Sequence, residues 1–407
     1  MIQAGDTAFV LTAAALVLLM TPGLALFYGG MVRGKNVLGT ILQSFIMISV
    51  ISIEWVYLGY SMSFGPDVGG LLGDLSWSGL RAMGPGPNLD YAPTIPEPVF
   101  MIYQCMFAVI TPALITGAFA ERMRFGPFLL FSLLWAVLVY NPVCHWIWGA
   151  GGWLKAQGVL DFAGGLVVHL TSGAAALAAA LVVGPRQGYG REHFLPHNLP
   201  ITLLGAALLW FGWFGFNAGS ALAANEVAGT AFVATHLAGM AGMATWVLVE
   251  RLHRGKPTTL GAASGAVAGL ATVTPASGFV SANSAVLIGM LAGLFCYLGV
   301  LAKTRLHYDD SLDVVGIHGV GGVLGTLCLG VFATTAVNPG GADGLLAGNP
   351  GLLGIQLFAI LIVGVYTFAA SWGLLKAIDL VWGLRITRDA EVEGLDLSEH
   401  SETAYSG

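Results

Sequence analysis

The chain has 407 residues, 56% of them hydrophobic and only 9% charged, with 16 Lys and Arg against 22 Asp and Glu. Soluble globular domains carry roughly a quarter of charged residues, so this acidic, charge-poor composition excludes a water-soluble fold and a nucleic-acid binder, and implies a chain embedded in lipid. The apolar runs approach the ~20 residues that a helix needs to cross a bilayer, which also excludes a barrel of short alternating strands.

In chain order the runs predict eleven spans, near 7–30, 40–64, 97–119, 125–148, 165–184, 199–221, 227–250, 260–276, 281–301, 312–333 and 354–384. The first has no basic n-region or small-residue cleavage site around it, so it is expected to be retained rather than removed as a signal peptide. The longest interval, about 65–96, is rich in Gly and Pro and carries Asp67, Asp74 and Asp90; a plain solvated loop is expected there. Cys105, Cys144, Cys296 and Cys328 fall in apolar runs without metal-ligand spacing, which predicts buried small side chains and neither a metal nor another cofactor.

Basic residues stay preferentially on the cytoplasmic side of a membrane. Arg33, Lys35, Arg122, Arg124, Arg186, Arg191, Arg251, Arg254, Lys256, Lys303, Arg305, Lys376, Arg385 and Arg388 occupy alternate connections and the tail side, while Arg81 and Lys155 lie opposite. That division fits eleven spans in a plasma or inner membrane, with the N-terminus outside and the C-terminus in the cytoplasm. Residues 1–384 are expected to form the transmembrane domain and 385–407 an acidic cytoplasmic tail.

Two stretches repeat an arrangement. DFAGGLVVHL (Asp161 to Leu170) opens the fifth span and DVVGIHGVGG (Asp313 to Gly322) the tenth, each with an Asp before an apolar run that contains a histidine. Five is odd, so two five-helix units in series have opposite orientations. The predicted fold is therefore an all-α polytopic bundle of two inverted five-helix repeats plus a long eleventh helix on the outside. His169 and His318 would approach the midplane from opposite sides. Two neutral imidazoles can share one hydrogen bond and leave a nitrogen on each for a substrate. Asp161 and Asp313 stand where a carboxylate caps a helix start, and Asp161 also lies beside the route to His169.

A second group is aromatic. YQCMFA, HWIWGAGG and WFGWFGFNAGS place Phe107, Trp148, Trp213 and Phe216 near the outer parts of spans three, four and six, with the hydroxyl of Ser220 alongside. Aromatic faces attract a desolvated cation by roughly 0.5–2 kcal/mol each; interfacial anchoring is the competing role. Glu54, in the middle of SVISIEWVYLGY, is an additional ionisable group for which a helix-contact role is expected.

DFAGGLVVHL, DVVGIHGVGG, WFGWFGFNAGS, GAFAERMRF and the tail EGLDLSEH together resemble the ammonium transporter (Amt/Mep/Rh) family, in its Amt branch, over essentially the whole chain. The resemblance implies a homotrimer with one pore per subunit and ammonium or ammonia as cargo, with methylammonium as a further candidate. It also implies recruitment by Phe107, Trp148 and Ser220, a gate at Phe107 and Phe216, and a twin-histidine pore at His169 and His318. Tyr103, Gln104, Asp161, Trp213 and Asp313 are expected to line or support that pore, and a PII-type regulatory protein to dock on the cytoplasmic face. Ser401 stands where the family pattern has Gly, which puts the local turn in question. Two rival readings are an ammonium sensor signalling through the tail to a separate partner and an intramembrane metalloenzyme; the latter lacks a recognisable ligand or nucleophile motif.

Overall fold

A computed structural model describes residues 1–405; the last two residues of the expected tail segment lie outside this range. Ten of its helices are long and apolar enough to cross a membrane. They are α1 (Ala4–Met31), α2 (Gly34–Phe64), α3 (Glu97–Ala118), α4 (Phe125–Ala156), α5 (Gly165–Val183), α6 (Leu199–Ala221), α7 (Glu226–Arg254), α9 (Ala282–Arg305), α10 (Val315–Phe332) and α11 (Pro350–Trp382). The expected span at 260–276 is the shorter α8 (Thr259–Val273). It ends at Thr274, itself still at helical φ −48° and ψ −50°, where Pro275 follows without an N–H to continue the ladder. Its 15 residues rise about 22 Å, and the buried turn 274–280 continues the chain inside the bundle.

The long last helix lies outside the rest, as its pattern dictates. Buried residues of α11 recur as Leu352, Gln356, Ala359, Val363, Thr367, Ser371, Leu375 and Ile378, a single stripe at helical spacing. This stripe packs along α5, α10 and α4, and large apolar residues such as Leu361, Val365 and Leu380 remain exposed on the other side.

Helices α5 and α10 cross at the centre, and their contact is symmetric residue by residue. Both begin with a turn wound as π-helix, Gly165–Leu170 and Val315–Gly319, and each wide turn carries the histidine. A Cβ on Gly173, four residues after His169, would lie 2.2 Å from Gly319 Cα and 3.2 Å from the carbonyl carbon of His318. A Cβ on Gly322, four residues after His318, would lie 2.7 Å from Leu170 N and 3.2 Å from the carbonyl carbon of His169. Each glycine thus clears the backbone immediately after the opposite histidine, the local signature of a two-fold axis.

The 65–96 segment departs from the solvated loop expected of it. It folds back as a hairpin of β1 (Asp67–Val68) and β2 (Leu72–Gly73), and Tyr91 stacks on Phe100 of α3 with ring centroids 5.1 Å apart. Trp146 Nε1 of α4 donates to Leu71 O at 2.9 Å. Backbone donors and acceptors in the segment find partners on the bundle, so it is a docked cover.

The tail is ordered against its own subunit. Two short helices, α12 (Arg388–Glu393) and α13 (Leu395–His400), lie across the connections between helices on one face. Lys35 Nζ donates to Glu391 O at 2.9 Å, Gly39 N to Asp396 Oδ1 at 2.8 Å, Phe125 N to Glu399 Oε2 at 2.9 Å, and Gln187 N to Glu391 Oε1 at 2.7 Å. Ser401 ends α13 at φ 55°, so the left-handed turn that suits glycine is kept with a serine in it.

Candidate functional site

On the side covered by the 65–96 hairpin, a cavity of about 690 Å³ opens between the helix ends. Gln104, Phe107, Trp148, Asp161 and Ser220 all line it. Trp148 is fixed from two directions: its Nε1 donates to Asp161 O at 2.8 Å, and its carbonyl accepts from Lys155 Nζ at 3.1 Å. Its ring meets Phe107 edge-on, with centroids 5.9 Å apart at 88°. Ser220 Oγ donates to Phe216 O at 2.9 Å and lies 3.2 Å from Tyr103 Oη, so its lone pairs are oriented by the α6 terminus. Tyr103 is a buried support, contacting the carbonyls of Gly215 and Phe216.

The floor of the vestibule is a pair of rings. Phe107 and Phe216 lie 4.3 Å apart at 37°, close enough to leave no aqueous passage in this conformation. Below them His169 stacks at 6.1 Å from Phe216 and 5.7 Å from Trp213. Trp213 is held in turn by its Nε1 donating to Thr274 Oγ1 at 3.0 Å. The two histidines follow, Nδ1 to Nδ1 at 3.2 Å with rings 23° from coplanar. One Nδ1 carries the proton and the other accepts it, since two protonated or two bare nitrogens would repel. His169 Nε2 is buried and has no partner among the described residues. The surrounding wall is apolar, formed by Leu24, Phe27, Ile110, Leu114 and Leu209 among others, around a space of about 10 Å³, the size of roughly one water-sized molecule.

The two aspartates part company. Asp161 accepts from four backbone N–H groups, Gly164 and Gly165 on Oδ1 and Leu166 and Val167 on Oδ2, at 2.7–3.1 Å. These bonds occupy the lone pairs of the carboxylate, so the geometry supports helix capping. Asp313 does not cap α10, contrary to the sequence expectation. It pairs with Lys303 Nζ and sits at φ 64°. The capping carboxylate is Asp310, whose Oδ2 accepts from Val315 N at 2.7 Å. Asp310 lies eight residues before His318 as Asp161 lies eight before His169 (318 − 310 = 169 − 161). Asp313 is instead the counterpart of Gly164, which also has positive φ, 114°. Counting from the histidines rather than matching the nearest Asp would have found this.

Glu54 is buried at the seam of α2 and α4, where its Oε1 accepts from Asn141 Nδ2 at 2.7 Å; it lines neither cavity.

The profile of the Ammonium Transporter Family matches residues 8–405. The chain belongs to this family. It is 52% identical over 404 residues to an ammonium transporter of Bacillus subtilis, covering 99% of both chains. It is 47% identical over 402 residues to ammonium transporter Amt1 of Archaeoglobus fulgidus, again with 99% of both covered. Among solved structures, Mep2 of Saccharomyces cerevisiae superposes with a TM-score of 0.90 at 36% identity, covering 95% of this chain and 88% of that one. A structure titled Sensor Amt Protein superposes with a TM-score of 0.90 at 30% identity, covering 97% and 98%. An all-α polytopic membrane bundle is thus the shared architecture.

Proposed function

We propose that this protein transports ammonium by recruiting the ion at the vestibule, removing its proton and passing ammonia along the twin-histidine conduit. The observation that carries the reading is the Nδ1–Nδ1 contact of His169 and His318 inside an apolar wall, directly below an aromatic mouth. Phe107 and Trp148 present π faces to a cation and Ser220 a hydroxyl acceptor, interactions worth roughly 0.5–2 kcal/mol per ring. A bare ammonium ion entering the conduit would meet the desolvation cost of a charge in an apolar medium, whereas neutral ammonia would not. The imidazole pair offers a proton and a lone pair without a fixed charge, which suits ammonia, while the apolar wall supplies none of the oxygen ligands that a hard alkali cation needs. The Phe107–Phe216 stack then acts as a gate that rotates aside for one molecule at a time.

The vestibule faces outward in this reading and the tail inward, supported by the concentration of Lys and Arg on the tail side. The subunits assemble as a trimer, each with its own pore, and a PII-type protein docks where the tail lies. Because α12 and α13 bond to several connections at once, a partner that shifts the tail moves the inner mouth with it. Native mass spectrometry tests the trimer; deletion of 385–407, followed by flux and PII binding, tests the docking.

The direct test is ammonium-evoked current and ammonium flux on the same proteoliposomes, with Trp148→Leu as the recruitment variant. Weakened saturation and poorer discrimination against potassium in that variant support the reading; unchanged values remove the recruitment role. The sensor alternative, favoured by the likeness to the Sensor Amt Protein structure, expects ammonium binding without flux.

A further inference from the structure

The motif HWIWGAGG contains a histidine that the transport reading does not use. His145 sits in the last turn before α4 bends at Gly149, fully buried and three residues before Trp148. Its Nδ1 lies 3.0 Å from Ser63 O of α2, and its Nε2 lies 2.9 Å from Asp67 Oδ1 in β1. A carbonyl only accepts, and so does a carboxylate. A ring that bonds both must donate from both nitrogens, which an imidazolium does and a neutral imidazole cannot. Asp67 is the anionic partner: the hydrogen bond from His145, with help from Gly70 N at 2.8 Å, holds its carboxyl below the usual range. The position favours the same charge state, because a cation in the last turn of a helix meets the negative end of its dipole.

The chain is shaped around this pair. A Cβ on Gly149 would lie 2.5 Å from His145 Nδ1, and one on Gly151, at φ 88°, would lie 2.7 Å from Asp67 Cβ. A Cβ on Gly152 would lie 2.0 Å from His145 O. Trp153 N donates to Gly70 O at 3.1 Å, so the hairpin is tied on both sides of the Trp148 turn. Of the other titratable groups around it, Tyr91 of the cover donates to Phe64 O and accepts from Ala150 N. Cys144 and Tyr140 belong to the same helix, and Asp90 and Lys155 lie at the vestibule rim. Asp67 is the one that bonds His145.

We propose that His145 is a positioning residue, held as an imidazolium between Ser63 and Asp67, whose latch fixes the outer hairpin and with it the setting of Trp148 at the vestibule. The paired carboxylate cancels the ring's charge, so a cation beneath the mouth is not repelled. Without the Asp67 side chain Nε2 loses its partner, the hairpin lifts, and recruitment weakens. The inference rests on the recruitment role of Trp148.

Two measurements on the full-length protein in lipid nanodiscs and proteoliposomes test it. Side-chain nitrogen NMR of labelled histidine, with the His145 signal assigned by its loss in His145→Gln, should show two N–H groups at neutral pH in the wild type. It should show one in Asp67→Asn, whose amide can donate to a neutral ring. A singly protonated wild-type ring overturns the latch whatever the transport data show. The half-saturating concentration of ammonium should rise roughly fivefold in Asp67→Ala, the factor that one hydrogen bond supports, and stay at the wild-type value in Asp67→Asn, whose amide still bonds the ring. If Trp148→Leu shifts saturation while Asp67→Ala leaves it unchanged, the positioning role is overturned and recruitment stands. If Trp148→Leu shifts nothing, the recruitment reading fails and the positioning role falls with it.

Discussion

The openings of α5 and α10 are built on one plan and finished differently. Both have a capping Asp eight residues before a histidine, a positive-φ residue five before it, a π-wound turn and a glycine four after it. What differs is the surroundings of the cap. Asp161 uses both oxygens on four N–H groups and lies beneath the vestibule, where its carbonyl also holds Trp148. Asp310 uses one oxygen on Val315 N, and its Oδ1 has no partner among the described residues. The shared plan delivers two histidines to one point; the unshared finish makes one end an aromatic-lined vestibule and the other a charged seam beside Lys303 and Asp313.

The largest test of the shared part is to remove the rings. His169→Ala and His318→Ala are each expected to lower electrogenic ammonium current roughly a hundredfold, the lower range of what a positioned proton-transfer group contributes. His169→Asp is expected to conduct with relaxed discrimination against potassium, since a carboxylate fixes a charge in the conduit. Current and flux on the same reconstituted protein check both. Coupled current at the wild-type level in both alanine variants would make the histidines structural.

Next comes the crossing that brings the rings together. In Gly173→Ala the new methyl meets the backbone of Gly319 at 2.2 Å, and in Gly322→Ala it meets Gly165 O and Leu170 N at 2.7 Å. Backbone cannot rotate away, so each variant costs about 1–3 kcal/mol, with Gly173→Ala the greater. Thermal unfolding in detergent ranks them. Equal, negligible losses would mean that the helices cross less closely than described.

Much of this was legible in the sequence because period and composition are strong signals. Ten of the expected eleven spans stand as long helices, and Phe107, Trp148, His169, Trp213 and Phe216, picked out from YQCMFA, HWIWGAGG, DFAGGLVVHL and WFGWFGFNAGS, line either the vestibule or the closed space below it. What escaped was set by tertiary contacts. Nothing local marks Asp310 as the cap over Asp313, because both stand within a few residues of the helix start and only the position relative to His318 separates them. The 65–96 segment has the composition of a solvated loop, yet Asp67 and Tyr91 find partners far along the sequence in α4, at His145 and Ala150 N. The shortness of α8 was written in Pro275, which hydropathy alone passes over.

The caps themselves give a smaller effect with a pH signature. Asp161→Asn leaves one acceptor oxygen and an amide facing N–H donors, so a loss of about 1–3 kcal/mol is expected. Asp310→Asn should cost less, since a single backbone bond is at stake. Burial pushes the Asp310 carboxyl up to about 6, with Asp313 adding to the shift and Lys303 opposing it. A carboxyl raised above its ordinary value binds more protons folded than unfolded, so its contribution to stability falls as pH rises from about 4 to 6. Asp310→Asn removes that slope. Melting temperature against pH for the two proteins checks the sign; parallel profiles would deny Asp310 its raised value.

The smallest effect lies at the two positive-φ positions. Gly164 and Asp313 are counterparts, at φ 114° and 64°, so removing one side chain and adding a methyl at the other asks whether the backbone or the side chain matters. Asp313→Gly relieves a left-handed conformation that costs a side chain about 1–2 kcal/mol. It also gives up the partly exposed pair with Lys303, worth about 0.2–1 kcal/mol, and adds chain entropy to the unfolded state worth about 0.5–1 kcal/mol. These terms nearly cancel, and the melting temperature should move little. Gly164→Ala has no such compensation, because φ 114° lies well outside the left-handed region open to side chains and its Cβ would lie 2.6 Å from Val168 Cγ2. A clear loss in Gly164→Ala beside a near-neutral Asp313→Gly would place the constraint in the α5 backbone, at the end that supports the mouth. A large loss in Asp313→Gly would instead make its pairing with Lys303 a necessary part of the other end, and the two openings would differ in what holds them as well as in what surrounds them.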